Sequence, residues 1–324
     1  MALSALLDIS PAQLILVLLT IFPAYAITIR LFRLSPFHPL AHIPGPYLPR
    51  FSSLWLTYHA WIGDECTVVH ALHQKYGPIV RTGPMSVDIA DGEALNPIYV
   101  EKGGFRKATF YGNFDIDGHK SIFSELVPER RAIRAKAVVP MFSMASLRQG
   151  KDVIYDCVEK WVEAMKRAKA SGKVVNVLDL TRGLAVDAVT AYLFGKSFGG
   201  VESVEGGAKS GVDEERMSAN GMVDSFVAVG RYWYLPSWAF GWVEYLESRL
   251  FPDKAGAASM SKVDGFVNAA VDDVVDSKDT PTYQGRLLQA GLSISETRAQ
   301  CKDLIVSTEG HHSIEANMFS VRRH

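Results

Sequence analysis

The chain has 324 residues and a nearly balanced charge, with 34 lysines and arginines against 35 aspartates and glutamates. Such a balance argues against a nucleic-acid partner held by a broad basic field. Hydrophobic residues make up 48% of the chain, which suffices for a large core. Three widely spaced cysteines without a CxxC pair argue against a disulfide framework and a zinc ribbon, and no metal site is predicted.

The first predicted element is a transmembrane helix at residues 12–29, preceded by a lumenal segment at residues 1–11. Its eighteen residues carry no charge, and as a helix they span about 27 Å, close to the hydrocarbon thickness of a bilayer. Arg30 and Arg33 follow, and the positive-inside rule then places the rest of the chain in the cytosol. A cleaved signal peptide is the alternative, although its apolar region is normally shorter and follows a basic segment.

A proline-rich linker at residues 30–50 joins this span to the predicted domain, because closely spaced prolines give a stiff, turn-rich segment. In Val68–Tyr76 the apolar residues recur at helical spacing, and Gly77-Pro78 ends that helix. Two short strands are predicted next, on either side of the Gly83-Pro84 turn.

The stretch from Gly103 to Ser124 is long and irregular, and loops of that length are usually functional or disordered. Its many aromatic residues favour an ordered, buried loop. We therefore predict that it contributes to an apolar ligand site, with ordinary core packing as the alternative. The candidate ligand contacts in this loop and further along the chain are Phe110, Tyr111, Phe114, Ile116, Phe226 and Trp233.

The rest of the chain reads as mainly α-helical, so that the fold class is mainly α with a small β portion. The predicted elements are a helical region from Pro128 to about Ala170, a short strand at Val174–Leu180, a helix at Thr181–Phe194, a flexible loop at 199–218, two helices within Met217–Leu250, a helix at Ser259–Asp276 and a last helix from about Ser295.

Two short motifs have a functional and a structural interpretation. Gly195–Gly199 matches the G-x-S-x-G elbow of hydrolases, in which Ser197 would be the nucleophile. A helical segment stands where that elbow needs a strand, which favours a helix cap and turn. His70 and His73, three residues apart on one helix, could both bind a metal, but without a third ligand a solvated helix face is favoured.

Two polar clusters carry the remaining chemistry. Arg130, Arg131, Arg134 and Lys136 crowd the start of one helix, either as a solvated face or as a site for an anion such as a carboxylate. Near the end of the chain, the adjacent Thr308-Glu309 could relay protons from an apolar helix or could simply mark its end.

Together, these segments resemble a fungal, microsomal-type cytochrome P-450, a haem-thiolate monooxygenase. The resemblance rests on the order of several motifs and covers residues 51–306 as a partial domain, with a divergent tail at residues 307–324. The motifs are HIPGP at 42–46, LHQKYGPIVRTGPMSVDIAD at 72–91, FSELVPERRAIRAKAVVPMFS at 123–143, AVTAYLFGKSFG at 188–199 and RAQCKDLIV at 298–306.

The resemblance implies a haem cofactor and the oxidation of an apolar small molecule, with secondary metabolism as one setting. It implies an NADPH-cytochrome reductase as electron donor and an endoplasmic reticulum membrane as location. The haem propionates would be held by Arg131, Arg134 and Lys136. Thr308 and Glu309 fall near the family's acid–alcohol pair, but Val306-Ser307 replaces the small residues that precede it there.

The sequence departs from the family in its C-terminal motifs. It has no Glu-x-x-Arg pair and no Phe-x-x-Gly-x-x-x-Cys loop, whose thiolate is the axial iron ligand. We therefore expect only the N-terminal part of the fold, truncated within the central helix, and no monooxygenase activity from this chain by itself. The alternative is a non-catalytic, membrane-anchored fragment or pseudoenzyme that binds an apolar ligand or a membrane partner.

Overall fold

The structure, a computed structural model, describes residues 11–101, 105–172, 174–206, 232–276 and 281–305. The chain divides into two compact units, Met1–Phe105 and Arg106–His324. Phe226, Thr308, Glu309 and the predicted tail lie outside the described residues.

In its described residues, the first unit contains four α-helices and a two-stranded antiparallel sheet. Gly77 ends the fourth helix, as predicted, and the strands pair in the register Val80 to Asp88, so that the predicted helix and hairpin are both confirmed. In chain order the elements are α1 (Pro11–Leu34), α2 (Tyr47–Phe51), α3 (Leu54–Ile62), α4 (Glu65–Tyr76), β1 (Ile79–Arg81), β2 (Val87–Ile89), a 3₁₀ turn (Gly92–Ala94) and a π-helical turn (Asn96–Val100).

The hairpin of this unit is built around the buried side chain of Arg81, which is 1% exposed. Its guanidinium donates to four backbone carbonyls, the closest being that of Pro84 at 2.8 Å. The predicted linker packs here, since the backbone N–H of Arg81 donates to the carbonyl of Pro44 at 2.8 Å. A Cβ on Gly45 would lie only 2.5 Å from the Arg81 carbonyl oxygen, which explains the glycine between two prolines.

The membrane span predicted at residues 12–29 lies within helix α1 (Pro11–Leu34). Among the residues that the structure describes, no helix is long and apolar enough to cross a bilayer.

The second unit is helical in the residues that the structure describes. Its elements are a 3₁₀ turn (Thr109–Phe114), α5 (Pro128–Val138), a 3₁₀ turn (Val139–Phe142), α6 (Met144–Gln149), α7 (Lys151–Ser171), α8 (Val177–Phe194), α9 (Gly200–Gly206), α10 (Ser237–Leu250), α11 (Lys254–Asp276), α12 (Tyr283–Gln289) and α13 (294–305). The mainly α fold with a small β portion is therefore confirmed.

The helical region predicted from Pro128 to about Ala170 is confirmed as three α-helices, α5 to α7, which are separated by the 3₁₀ turn at Val139–Phe142 and by Gly150. Two other predicted elements of this unit were wrong. The predicted strand at Val174–Leu180 is the start of α8, because the Asn176 side chain accepts a hydrogen bond from the N–H of Leu178 and caps the helix. The predicted loop at 199–218 begins as helix α9, in which Val201 is buried.

The core lies where α5, α8, α11, α12 and α13 meet. Its buried residues come from all five helices and are dominated by aliphatic and aromatic side chains, among them Val138, Val186, Phe194, Val267, Leu287 and Ile305. Ion pairs add to this packing on one side: Arg298 lies 2.6 Å from Asp272, and Lys302 lies 2.5 Å from Asp264. Helix α13 is thereby fixed against α11.

The G-x-S-x-G motif is a turn between α8 and α9, organised by the buried carboxylate of Asp187. This carboxylate accepts hydrogen bonds from the Ser197 hydroxyl at 2.9 Å and from the N–H groups of Gly199, Gly200 and Val201 at 2.7 to 3.0 Å. Asp187 thus caps α9 from within the core. The strand that a nucleophile elbow requires is absent, since helix α8 runs up to Phe194.

Candidate functional site

A cavity of about 310 Å³ lies between α5, α12, α13 and the loop before α5. Seven of its lining side chains are apolar, and five polar or charged side chains interrupt this apolar wall. The lining residues are Lys107, Ile122, Phe123, Arg131, Ala135, Val138, Val139, Phe142, Tyr283, Gln300, Asp303 and Leu304.

Two cations, Lys107 and Arg131, line this cavity together. The Lys107 amine donates to the carbonyl of Ile122 at 3.1 Å and to that of Phe123, while the Arg131 Nε donates to the same Ile122 carbonyl at 3.2 Å. Burial and the charge of Arg131 lower the pKa of the Lys107 amine, and the carboxylates of Asp303 and Glu125 oppose that effect. One carbonyl therefore holds two positive groups side by side at the cavity wall.

A buried acid, Asp303, faces these cations from α13. Burial raises the pKa of its carboxyl to about 6, although hydrogen bonds from Ser121 and Gln300 and the charge of Lys107 favour the ionised form. Burial likewise raises the pKa of the neighbouring Tyr283 hydroxyl. The site thus contains an acid that changes its charge near neutral pH, next to two groups that are cationic.

The three basic residues predicted to bind a cofactor lie in different surroundings. Arg131 lines the cavity. Arg134 lies between two carboxylates, with Glu296 at 3.0 Å and Glu125 at 3.8 Å, so that it connects α5 with the start of α13. Lys136 is exposed and does not line the cavity.

The aromatic residues predicted to contact a substrate do come together, but beside the cavity. Phe110 stacks on Tyr111 at 4.8 Å between ring centroids, and Phe114 meets Trp233 edge to face at 5.7 Å. Phe123 links this cluster to the cavity, since its ring lies 5.3 Å from Tyr111 and 5.4 Å from Phe114. Ile116 pairs with His119 in an isolated β-bridge.

Sequence reasoning missed Lys107, Gln300 and Asp303. The last two had a signal, because residues three apart on a helix share a face and here both are polar. Lys107 had no such signal, because it is a single lysine in an irregular loop and its amine donates to the backbone carbonyls of Ile122 and Phe123.

The two histidines considered as metal ligands have other partners. His73 contacts the Asp88 carboxylate at 2.7 Å and the Gly77 carbonyl at 2.9 Å, and His70 contacts Gln74. In the described part of the chain, no group of three or more histidine, cysteine, aspartate or glutamate side chains could hold a metal ion.

Comparison with known proteins identifies the family. The cytochrome P450 family model matches residues 44–281, which is well over half of the chain. This chain belongs to the cytochrome P450 family.

Similar proteins include three fungal members of this P450 family. The cytochrome P450 monooxygenase mfmF of Annulohypoxylon moriforme is 37% identical over 83% of this chain and 57% of its own length. The monooxygenase tazI of Aspergillus terreus is 32% identical over 52% of the chain and 34% of its own length. The monooxygenase stcB of Emericella nidulans is 36% identical over 44% of the chain and 28% of its own length. The chain thus spans little more than half the length of the curated relatives it matches.

The P450 family uses haem, and the cavity residues fit one side of that group. A flat apolar molecule with carboxylates suits an apolar wall bearing Lys107 and Arg131, since an arginine fork binds carboxylates well. For the haem iron, by contrast, no cysteine lines the cavity as a ligand. Cys157 and Cys301 are buried, burial raises the pKa of both thiols, and neither lines the cavity. A ligating cysteine must be a thiolate, which burial in apolar surroundings disfavours.

Proposed function

We propose that this chain forms the haem-carboxylate side of a monooxygenase that oxidises an apolar small molecule of fungal secondary metabolism. The observation that carries the proposal is the pair Lys107 and Arg131 on one carbonyl at the wall of an apolar cavity. Haem, when bound, supplies the activation of dioxygen. An NADPH-cytochrome reductase is the electron donor that family membership implies.

The chain's own residues have separate tasks in this proposal. Arg131 and Lys107 bind and orient the carboxylates, and the Ile122 carbonyl keeps their positive charges together. Val138, Phe142 and Leu304 exclude water from the apolar face. Asp303 is ionised above about pH 6 and then partly neutralises the cations, so carboxylate binding weakens as the pH rises through that value.

Titration of the purified chain with haemin, followed by tryptophan fluorescence, tests the carboxylate site. Arg131→Met removes a charged hydrogen-bond donor, which is worth about 1.5–3 kcal/mol, and we expect at least tenfold weaker binding. Arg130→Met is the matched control, because Arg130 is an exposed neighbour on the same helix and does not line the cavity. Equal weakening in both variants would refute the proposed site.

We also propose that residues 1–324 by themselves have no monooxygenase activity. The support is that neither buried cysteine lines the cavity and that both thiols have raised pKa values, so that no thiolate is placed to bind iron there. The reduced, carbon monoxide-bound absorption spectrum is the test. A strong Soret band at the family's characteristic position would contradict the proposal.

A non-catalytic role remains the second proposal, with an apolar ligand or a membrane partner in place of haem. It is favoured by the compact aromatic cluster of Phe110, Phe114 and Trp233, which lies beside the cavity rather than in it. An uncharged fluorescent apolar probe distinguishes the two. Its binding should fall in Trp233→Ala and be unaffected by Arg131→Met if the cluster is the binding site.

The membrane location is a proposal from the sequence. The uncharged run at residues 12–29, with Arg30 and Arg33 after it, supports a single-pass anchor in the endoplasmic reticulum with the domain in the cytosol. Microsomes carrying the full chain should retain it at alkaline pH and leave its domain open to added protease. Release of the chain at alkaline pH would contradict the anchor, and protection of the domain would contradict its orientation.

A further inference from the structure

Gln300 connects helix α13 to the loop that carries the cation pair. Its side chain is 2% exposed, and its Oε1 accepts a hydrogen bond from the backbone N–H of Ile122 at 2.7 Å. The two residues are 178 positions apart in the chain. On its other side, the Gln300 amide donates to the Asp303 carboxylate at 3.4 Å.

The segment that Gln300 contacts is a self-bonded turn at residues 121–125. Ser121 and Ser124 are fully buried, and each backbone N–H of this pair donates to the hydroxyl of the other, at 3.0 and 3.1 Å. The Glu125 N–H donates to the Ser121 carbonyl at 2.9 Å. The turn is therefore held together by its own hydrogen bonds. Its Ile122 and Phe123 carbonyls are the acceptors of Lys107 and Arg131.

We propose that Gln300 is a positioning residue for this cation pair. It fixes the turn at residues 121–125 on α13, so that the Ile122 and Phe123 carbonyls hold Lys107 and Arg131 at the wall of the cavity. The inference rests on the proposed function, since a cation pair at this wall acts on a ligand that carries carboxylates.

The chemistry of the side chain explains why a glutamine serves here. An uncharged amide can accept from Ile122 with its oxygen and donate to Asp303 with its nitrogen at the same time. A glutamate would place a second negative charge beside Asp303, and a leucine would leave a buried N–H without an acceptor. Gln300 is therefore matched to both neighbours.

The first experiment compares two probes that differ only in their carboxylates, protoporphyrin IX and its dimethyl ester. Dissociation constants come from tryptophan quenching of the full chain. The wild type should prefer the acid by about tenfold, and Gln300→Leu should abolish the preference by weakening acid binding alone. In the double variant with Lys107→Met, no further loss of preference should occur. A glutamine with a merely structural role would weaken both probes equally.

Gln284→Leu provides the matched control. Gln284 is an equally buried glutamine on α12, where its amide donates to the carbonyls of Phe194 and Ala270 rather than to the turn. This variant should lower stability and keep the preference for the acid. Loss of the preference in Gln284→Leu as well would overturn the specific role of Gln300.

A second readout separates this inference from the proposed function. Acetylation of Lys107, measured by mass spectrometry relative to the exposed Lys136, reports how firmly the carbonyls hold the amine. Gln300→Leu should raise the relative rate several-fold. If the wild type binds both porphyrins equally, the carboxylate site is refuted. A raised acetylation rate of Lys107 in Gln300→Leu would still support the positioning role of Gln300. If Lys107 acetylation is unchanged in Gln300→Leu, the positioning is refuted.

Discussion

The buried acid Asp303 makes stability depend on pH in a way that one substitution removes. An unfolded aspartate has a pKa of about 3.9, whereas burial raises that of Asp303 to about 6. The folded state therefore binds the proton more tightly. Its stabilising contribution is fully present below about pH 4 and is lost as the pH rises through about 6. Two pH units correspond to about 3 kcal/mol.

Asp303→Asn keeps the size and the hydrogen-bonding oxygen of the side chain but cannot ionise. The free energy of unfolding of both proteins can be measured with urea from pH 4 to 8. As the pH rises over this range, the variant should gain about 3 kcal/mol of stability relative to the wild type. Any constant cost of the new amide cancels in this comparison. A difference that does not change with pH would show that Asp303 titrates in the folded chain as it does in the unfolded one.

Three further outcomes are expected. Asp187→Ala removes a buried carboxylate with four hydrogen bonds and should lower the free energy of unfolding, measured with urea, by about 3 kcal/mol. Asp187→Asn should show a smaller loss, because its amide oxygen can still accept three of these hydrogen bonds. The pKa of His73 is raised by its hydrogen bond to Asp88, so its stabilising contribution is present below about pH 6.5 and is lost as the pH rises through the folded-state value. In NMR titration, Asp88→Asn should lower that pKa, and an unchanged value would exclude the pairing. Gly45→Ala forces a Cβ against the Arg81 carbonyl and should destabilise the first unit by about 1–3 kcal/mol in thermal unfolding, whereas the same change at the unobstructed Gly92 should be tolerated.

Elements set by local chemistry could be predicted from the sequence. Gly77 after an amphipathic run and the Gly83-Pro84 turn define α4 and the hairpin without help from the rest of the chain. The region at Val174–Leu180 shows the opposite case. Its valines and leucines suit a strand, but the Asn176 cap and packing against α7 make it the start of α8. A local helix cap and tertiary packing together thus outweigh local β propensity.

The candidate site could be predicted only in part, for the same physical reason. Arg131 and Arg134 are equivalent in the sequence, as neighbours in one basic cluster. The fold separates them, because Glu296 neutralises Arg134 from a helix that begins 160 residues further along the chain, whereas Arg131 is left at the cavity. Lys107 owes its role to backbone carbonyls that no side-chain pattern encodes.

The hydrogen bond between Gln300 and Ile122 also has a consequence for biosynthesis. Translation at about 5–20 residues per second means that α5 leaves the ribosome roughly 10–30 s before α13 is made. Throughout that interval the apolar side of α5 and the turn at residues 121–125 have no partner from α13. A nascent chain in this state exposes aggregation-prone surface, and we expect chaperones to bind it there until residue 303 has emerged.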